Sequence, residues 1–349
     1  MYPEWVTQEC PEISIAHRDA ALARQTQLTK PAGSLGRLEH LACELAGLQQ
    51  TERPRTARVP IIIFAGDHGI VAQGVSAFPQ EVTIAMMTNF ASGGAAISVL
   101  ARELGSTLEV VDAGTLAQSP IPGIVTDKPR HGSRDFSKEA ALTPAEVAFA
   151  LECGKRAVAR AVTPDLLIFG EMGIGNTTTS AAIAAALLGF GAGQTTGSGT
   201  GVDARGLVLK ARVIDDALVL HRLARPGVAV EDVLCAVGGF EIVAICGAII
   251  AAAQRRIPIL IDGFIVSVAA LAAVRINPSC RPFLLASHQS AEQGHRLVLE
   301  ALNRQPLIDL DLRLGEGSGA AVALPLLRLA CALHNDMATF AQANVPDRS

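Results

Sequence analysis

The sequence predicts an α/β fold: a mainly parallel sheet flanked by helices, with a small helical domain built from both termini. Three observations carry this expectation. Short apolar runs alternate with longer helical patterns along the 349 residues, the order that parallel strands with crossover helices produce. Most of those runs are continuously apolar rather than alternating in polarity, as strands covered on both faces are. Half of the chain is hydrophobic yet only 4% is aromatic, so the interior is made of Ala, Val, Leu and Ile, which suit close packing of helices on a sheet.

Taken in order, residues 13–50 read as helical, broken at 29–39 by a turn in which Ser34 is a plausible helix cap. Strands are expected over 59–65, 108–112, 166–170, 257–261, 283–286 and 307–314. Residues 120–143, with prolines, Gly123 and charges, read as a surface excursion. The apolar run at 166–169 ends in a glycine-rich turn, and 177–188 follows as an alanine-rich helix. Residues 194–203 form a glycine- and hydroxyl-rich loop before a helical run containing Lys210, and 319–343 is helical again. The expected division is 1–58 with 320–349 as the small helical domain, and 59–319 as a large Rossmann-like α/β catalytic domain.

Bulk properties exclude several classes. A net charge of −4 with no long basic run argues against nucleic acid or another polyanion as partner. The longest apolar stretch, 242–253, falls short of the roughly 20 residues of a spanning helix, so no membrane is expected. Residues 1–19 carry acids and no apolar signal core, which predicts no secretion signal. Seven cysteines without a Cys-x-x-Cys spacing fit reduced thiols in the cytoplasm.

Polar groups follow the carboxyl ends of the expected strands: Asp67 and His68, Asp112, Glu171, Asp262, Ser287 with His288, and Glu316. In a parallel sheet these collect at the edge where ligands bind. Residues 165–179 are the most informative segment. A strand that stops at Gly173 and Gly175 and opens a helix points backbone N–H groups and the positive end of the helix dipole at one spot, which suits a phosphate. Asn176 or Thr177 can cap that helix, and a tight turn with ordinary capping explains the local pattern almost as well. Glu171 is a carboxylate that a phosphate alone does not call for, so something else binds beside it. Glu316 lies between Gly315 and Gly317, which expose it and let a flat ligand approach; held near apolar surface it would have the raised pKa of a general base, although an acid at a helix start is also explained by the helix dipole alone. Lys210 supplies a point charge for a phosphate, although by itself the 194–210 pattern reads as a flexible connection and a solvated lysine.

Other chemistries find no support. There is no Gly-Lys-Ser/Thr loop, no third glycine of a dinucleotide fingerprint, no His-Glu-x-x-His and no Gly-x-Ser-x-Gly elbow. His68, His288 and His295 read as hydrogen-bonded loop histidines rather than metal ligands, and Asp215 with Asp216 as a solvated helix face. Lys30 and Arg37 are within reach of a ligand or a second subunit, or serve only the turn. A nucleotide hydrolase and a nucleotide sensor remain open on the residues alone.

The motifs together resemble the nicotinate-nucleotide–dimethylbenzimidazole phosphoribosyltransferase family. The matching segments are 29–39, 64–70 (FAGDHGI), 75–83, 170–180 (GEMGIGNTTTS), 196–203, 238–244 (GGFEIVA), 259–264, 287–294 and 314–320. They run in order over nearly the whole chain. The resemblance implies a homodimer with no metal or organic cofactor. It transfers the phosphoribosyl group of nicotinate mononucleotide to 5,6-dimethylbenzimidazole with inversion, giving nicotinate and α-ribazole 5′-phosphate for the cobalamin nucleotide loop. It also implies that Glu316 is the general base and Glu171 a second active-site glutamate near the ribose. Gly173, Gly175, Asn176, Thr177 and Lys210 would hold the 5′-phosphate, and Ser76, Phe78, Met172 and Leu314 would shape the base pocket. One departure stands out: where the family often has Gln shortly after Val82-Thr83, this chain has Ala85.

Overall fold

The structure, a computed structural model, describes residues 2–199 and 201–346. Thr200 of the 196–203 motif lies outside the described residues. Six strands form one sheet: β1 (Ile61–Gly66), β2 (Leu108–Gly114), β3 (Val125–Thr126), β4 (Leu167–Met172), β5 (Ile259–Ile261) and β6 (Leu284–Ala286). Their spatial order is β3-β2-β1-β4-β5-β6, and every pairing is parallel. This is the doubly wound order with its switch point between β1 and β4, where ligands bind outside the carboxyl ends of strands. The α/β expectation holds.

Strand residues alternate between two cores. Ile62, Phe64, Val111, Leu167, Phe169 and Ile259 pack on one face with the helices Pro144–Arg160, Asn176–Leu188, Phe240–Gln254 and Phe264–Ile276. Ile61, Ile63, Val110, Ile168, Leu260 and Leu285 pack on the other, with Phe90, Ile97, Leu41, Leu45, Leu324 and Leu327. Continuous apolarity along the strands is the direct consequence. The stretch 81–103 has the length and apolarity of a membrane span. It forms two helices, Glu81–Ser92 and Ala96–Glu103, bent at Gly93 with φ 84°. Its Thr83, Met87, Phe90, Ile97 and Ala101 are buried.

The two ends of the chain meet. Helices Ile15–Gln27 and Arg37–Gln49 pack together, and the second packs on Ser318–Asp336. Arg24 donates to the carbonyl of His334 at 2.8 Å, and Gln25 meets the His334 ring at 2.9 Å. Through Leu41, Leu45, Leu324 and Leu327 these helices share the core of one sheet face.

Several expectations require correction. The run 307–314 is not a strand of the main sheet. Only β8 (Ile308–Asp309) is extended there, and it pairs with β7 (His288–Gln289) in a separate two-stranded sheet. The two residues of β7 are all the partner it has, and Asp311 at φ 55° turns the chain away. Ser34 does not cap the following helix, which begins at Gly36 without a side-chain cap. The Glu39 side chain instead reaches back to the Leu35 N–H at 3.0 Å, and Lys30 pairs with Glu39 at 2.8 Å. Arg37 is occupied by the carbonyls of Gln305 and Pro306.

The crossing of Pro144–Arg160 and Phe240–Gln254 depends on two glycines. A Cβ at Gly154 would stand 1.9 Å from the Ala244 carbonyl oxygen, and one at Gly247 would stand 2.3 Å from that of Leu151. Gly154→Ala is therefore expected to destabilise by ~1–3 kcal/mol or more through overpacking. Gly193→Ala, with no heavy atom within 4 Å of its added Cβ and an ordinary φ, is expected to be neutral or to stabilise by ~0.5–1 kcal/mol. Thermal melts of the two variants test the contrast.

Candidate active site

The carboxyl ends of β4, β5 and β6 and the turn before Ser318–Asp336 enclose one cleft. Its lining includes Glu171, Met172, Gly173, Asn176, Thr177, Asp262, His288, Leu314 and Glu316. A recess opens beside it against Ser76, Gly173, Gly175, Asn176, Thr177, Ser198 and Lys210. Gly173, Asn176 and Thr177 border both.

The glycine turn after β4 is held by close packing. A Cβ on Gly173 would lie 2.1 Å from the Gly66 carbonyl oxygen, and Gly175 has φ 96° with Val71 2.6 Å from its missing Cβ. Only glycine fits both positions. Beneath them His68, fully buried, bonds Glu241 at 2.7 Å through Nε2 and Thr179 at 2.9 Å through Nδ1. The turn therefore sits on a buried polar network joining the end of β1, the helix Asn176–Leu188 and the helix Phe240–Gln254.

The helix Asn176–Leu188 begins at Gly175 with no side-chain cap. Asn176 and Thr177 are not its caps, because both side chains are engaged elsewhere. The Asn176 amide donates to a Glu171 oxygen, and the Thr177 hydroxyl accepts from Lys210 Nζ at 2.7 Å. Lys210 is 1% exposed, not the solvated lysine that its helix pattern suggests. It also donates to the Gly197 carbonyl at 3.3 Å. Burial lowers its pKa to about 8, and the carboxylate of Glu292 works in the opposite direction. A dianion arriving beside it would restore the charged form.

Glu316 is held in an unusual backbone conformation. Gly315, Glu316 and Gly317 have φ of 85°, 63° and 79°, three left-handed residues in a row. The turn packs against bare backbone: a Cβ on Gly170 would stand 2.5 Å from the Glu316 carbonyl carbon. The Glu316 side chain is buried and its Oε2 has no hydrogen-bond partner among the described residues. Burial raises its pKa to about 7; the Ile97 backbone N–H, in the first turn of Ala96–Glu103, pulls it down, and the Asp262 charge pushes it up. Glu171 is raised further, to about 8, by burial first and then by the charges of Asp262, Glu241 and Glu316, with the Asn176 amide opposing. At neutral pH the first carboxyl is poised to accept a proton and the second is largely protonated.

Asp262 accepts from the Gly317 N–H at 3.1 Å and the Ala320 N–H at 2.9 Å, and His288 Nδ1 lies 3.8 Å away. His295 is a fully buried hydrogen-bonded histidine: it accepts from the Ser290 N–H at 2.8 Å and meets the Ser267 hydroxyl at 2.9 Å. Burial, with His288 adding, pushes its pKa down to about 3.

Not every expected residue converges. Asp67 accepts the Leu116 N–H at 2.9 Å, and Asp112 pairs with Lys128 at 2.7 Å, so both serve the loops beyond β1 and β2. Asp216 is solvated beside Arg212, but Asp215 is not free: it accepts from the Ala192 N–H at 2.9 Å. Met172 and Leu314 line the cleft with Glu316, whereas Ser76 lines the recess with Lys210. Phe78 is 47% exposed and lines neither. The residue that sequence reasoning missed is Glu292. It lines the cleft, accepts from the Gly199 N–H at 2.9 Å, and fixes the loop that covers Lys210. The only signal for it was its place inside the 287–294 motif.

A family model described as phosphoribosyltransferase matches residues 10–345. The nicotinate-nucleotide–dimethylbenzimidazole phosphoribosyltransferase of Bradyrhizobium diazoefficiens is 79% identical over 350 residues, covering 100% of this chain and 99% of that one. The protein of that name from Pseudomonas putida is 54% identical over 354 residues, with 100% and 99% covered. A crystal structure of the Thermus thermophilus enzyme superposes with a TM-score of 0.90 at 42% identity, covering 96% of this chain and 100% of that one. With similarity running through the full length, the chain belongs to the nicotinate-nucleotide–dimethylbenzimidazole phosphoribosyltransferase family.

Proposed function

We propose that this chain transfers the phosphoribosyl group of nicotinate mononucleotide to 5,6-dimethylbenzimidazole, with inversion at the anomeric carbon, releasing nicotinate and α-ribazole 5′-phosphate for cobalamin assembly. The observation that carries the reading is Glu316: a buried carboxyl with pKa about 7 and an unpartnered oxygen, in the cleft that adjoins the recess holding Lys210 and Thr177.

One nitrogen of the benzimidazole forms the new bond to the ribose carbon. Glu316 takes the proton from the other. The C–N bond to the pyridinium breaks, and its electron pair neutralises the ring, so nicotinate leaves without an acid. Inversion requires the two flat rings on opposite faces of the sugar, which is a positioning task. The 5′-phosphate occupies the recess, on Lys210, Thr177 and the backbone of Gly173, Gly175 and Asn176. Glu171, tied to Asn176, faces the ribose hydroxyls as donor or acceptor. Met172 and Leu314 form the apolar side of the base pocket, and Ser76 borders the phosphate end. Ala85 is exposed on Glu81–Ser92 and lines neither the cleft nor the recess, so this position makes no direct contact with the base.

The terminal helices, 1–58 with 320–349, form a supporting unit for the 59–319 catalytic domain. The working form is a homodimer, with no nucleic acid or membrane as partner. It resides in the cytoplasm, in keeping with seven free cysteines, six of them buried.

Four outcomes test this reading. Nicotinate release from nicotinate mononucleotide should require an added benzimidazole; release at the same rate without one would make the protein a hydrolase. The base-dependent rate should fall on an acid limb centred near pH 7, because the general base must be ionised and its pKa is about 7; steady-state rates from pH 5 to 9 report this. Glu316→Gln should lose ~10²–10⁴ in kcat while calorimetry shows nicotinate mononucleotide still bound. Lys210→Met should instead weaken that binding by roughly 10-fold to 100-fold, the worth of a charged hydrogen bond.

A further inference from the structure

We propose that Asp262 is a positioning residue for Glu316, clamping the left-handed turn that carries it so that the base meets the nucleophile in one orientation. This rests on the reading of Glu316 as general base.

Asp262 and Glu316 come from different parts of the fold. Asp262 follows β5, and Glu316 arrives on the irregular segment after β8. Both oxygens of Asp262 are used on that segment: Oδ2 accepts from the N–H of Gly317, the residue next to Glu316, and Oδ1 from Ala320, in the first turn of Ser318–Asp336. That helix has no side-chain cap of its own. Asp262 therefore caps it from another element, and the same two bonds fix the turn. The turn needs fixing, because Glu316 at φ 63° has a Cβ in a region where glycine is comfortable and other residues are strained.

Stability alone does not explain a carboxylate here. A local Ser, Thr or Asn cap would serve a helix for ~1 kcal/mol without a buried charge. Asp262 is 2% exposed. The titratable groups facing it are Glu316 on the turn, Glu171 on β4 and His288 after β6. His288 is wedged: a Cβ on Gly319 would lie 2.1 Å from its ring. Crowding a third acid beside Glu171 and Glu316 costs stability, and it makes Glu316 a stronger base, because the Asp262 charge opposes ionisation of its neighbour.

Asp262→Asn and Asp262→Glu separate geometry from charge. Both are assayed for benzimidazole-dependent nicotinate release after thermal melts establish folding, beside the wild type. Asp262→Asn should lose about 100-fold in kcat, leave KM for nicotinate mononucleotide within about threefold, and move the acid limb to lower pH. Asp262→Glu keeps the charge and misplaces the oxygens, so kcat should fall with the limb unmoved. If the Asn variant does not fold, the Glu variant carries the test. Two results would overturn the proposal: kcat within about threefold of wild type in a folded variant, or a rise in KM alone with kcat and the pH limb unchanged. A wild type that shows no benzimidazole-dependent release would instead remove the functional reading itself.

Discussion

Withdrawal of the Glu316 carboxyl from water, with one oxygen left unsatisfied, is the constraint on which the rest of the site depends. A buried, unpaired acceptor costs a few kcal/mol in most proteins and is seldom kept without use. Here Oε2 of Glu316 is such an atom. Glu171 and Asp262 are buried close by; burial raises all three carboxyl pKa values, and the Asp262 charge adds to the rise at Glu171 and Glu316. The cleft thus stores acids in the protonation states that a neutral-pH proton transfer needs.

Glycine makes that arrangement possible. A side chain at Gly170 would collide with Glu316 backbone and one at Gly315 with Glu171, while Gly317 adopts a left-handed φ of 79°. The acid-bearing turn can therefore lie directly on β4, and the phosphate-side turn directly on β1 through Gly173 and Gly66. Both functional turns are anchored to the rigid centre of the sheet at the switch point. The two aliphatic cores, built of small residues, let helices approach closely enough to bury everything behind the cleft.

How much of this was legible in the sequence depends on the range of the interactions. The strands Ile61–Gly66 and Leu167–Met172 and the glycine turn after them are local patterns, and they were read to within a residue or two. The alternation of apolar and acidic residues over 307–312 imitates a strand, but the extended length is set by β7, which offers only two residues to pair with. Lys210 looks solvated on its own helix; its burial comes from Gly197, Gly199 and Thr177, which lie on other segments. The unassigned role of Glu292 has the same origin. Carboxylates at strand ends were found because topology gathers them, whereas which of them face the cleft and which serve loops, as Asp67 and Asp112 do, depends on partners distant in sequence.

The most direct measurement is a crystal structure of the Glu316→Gln variant grown with nicotinate mononucleotide and 5,6-dimethylbenzimidazole together. The account predicts the amide of residue 316 within roughly 2.6–3.2 Å of one ring nitrogen, the other nitrogen facing the anomeric carbon, and the phosphate on Lys210 and Thr177. A ring bound away from that side chain, or a phosphate outside the recess, would contradict it.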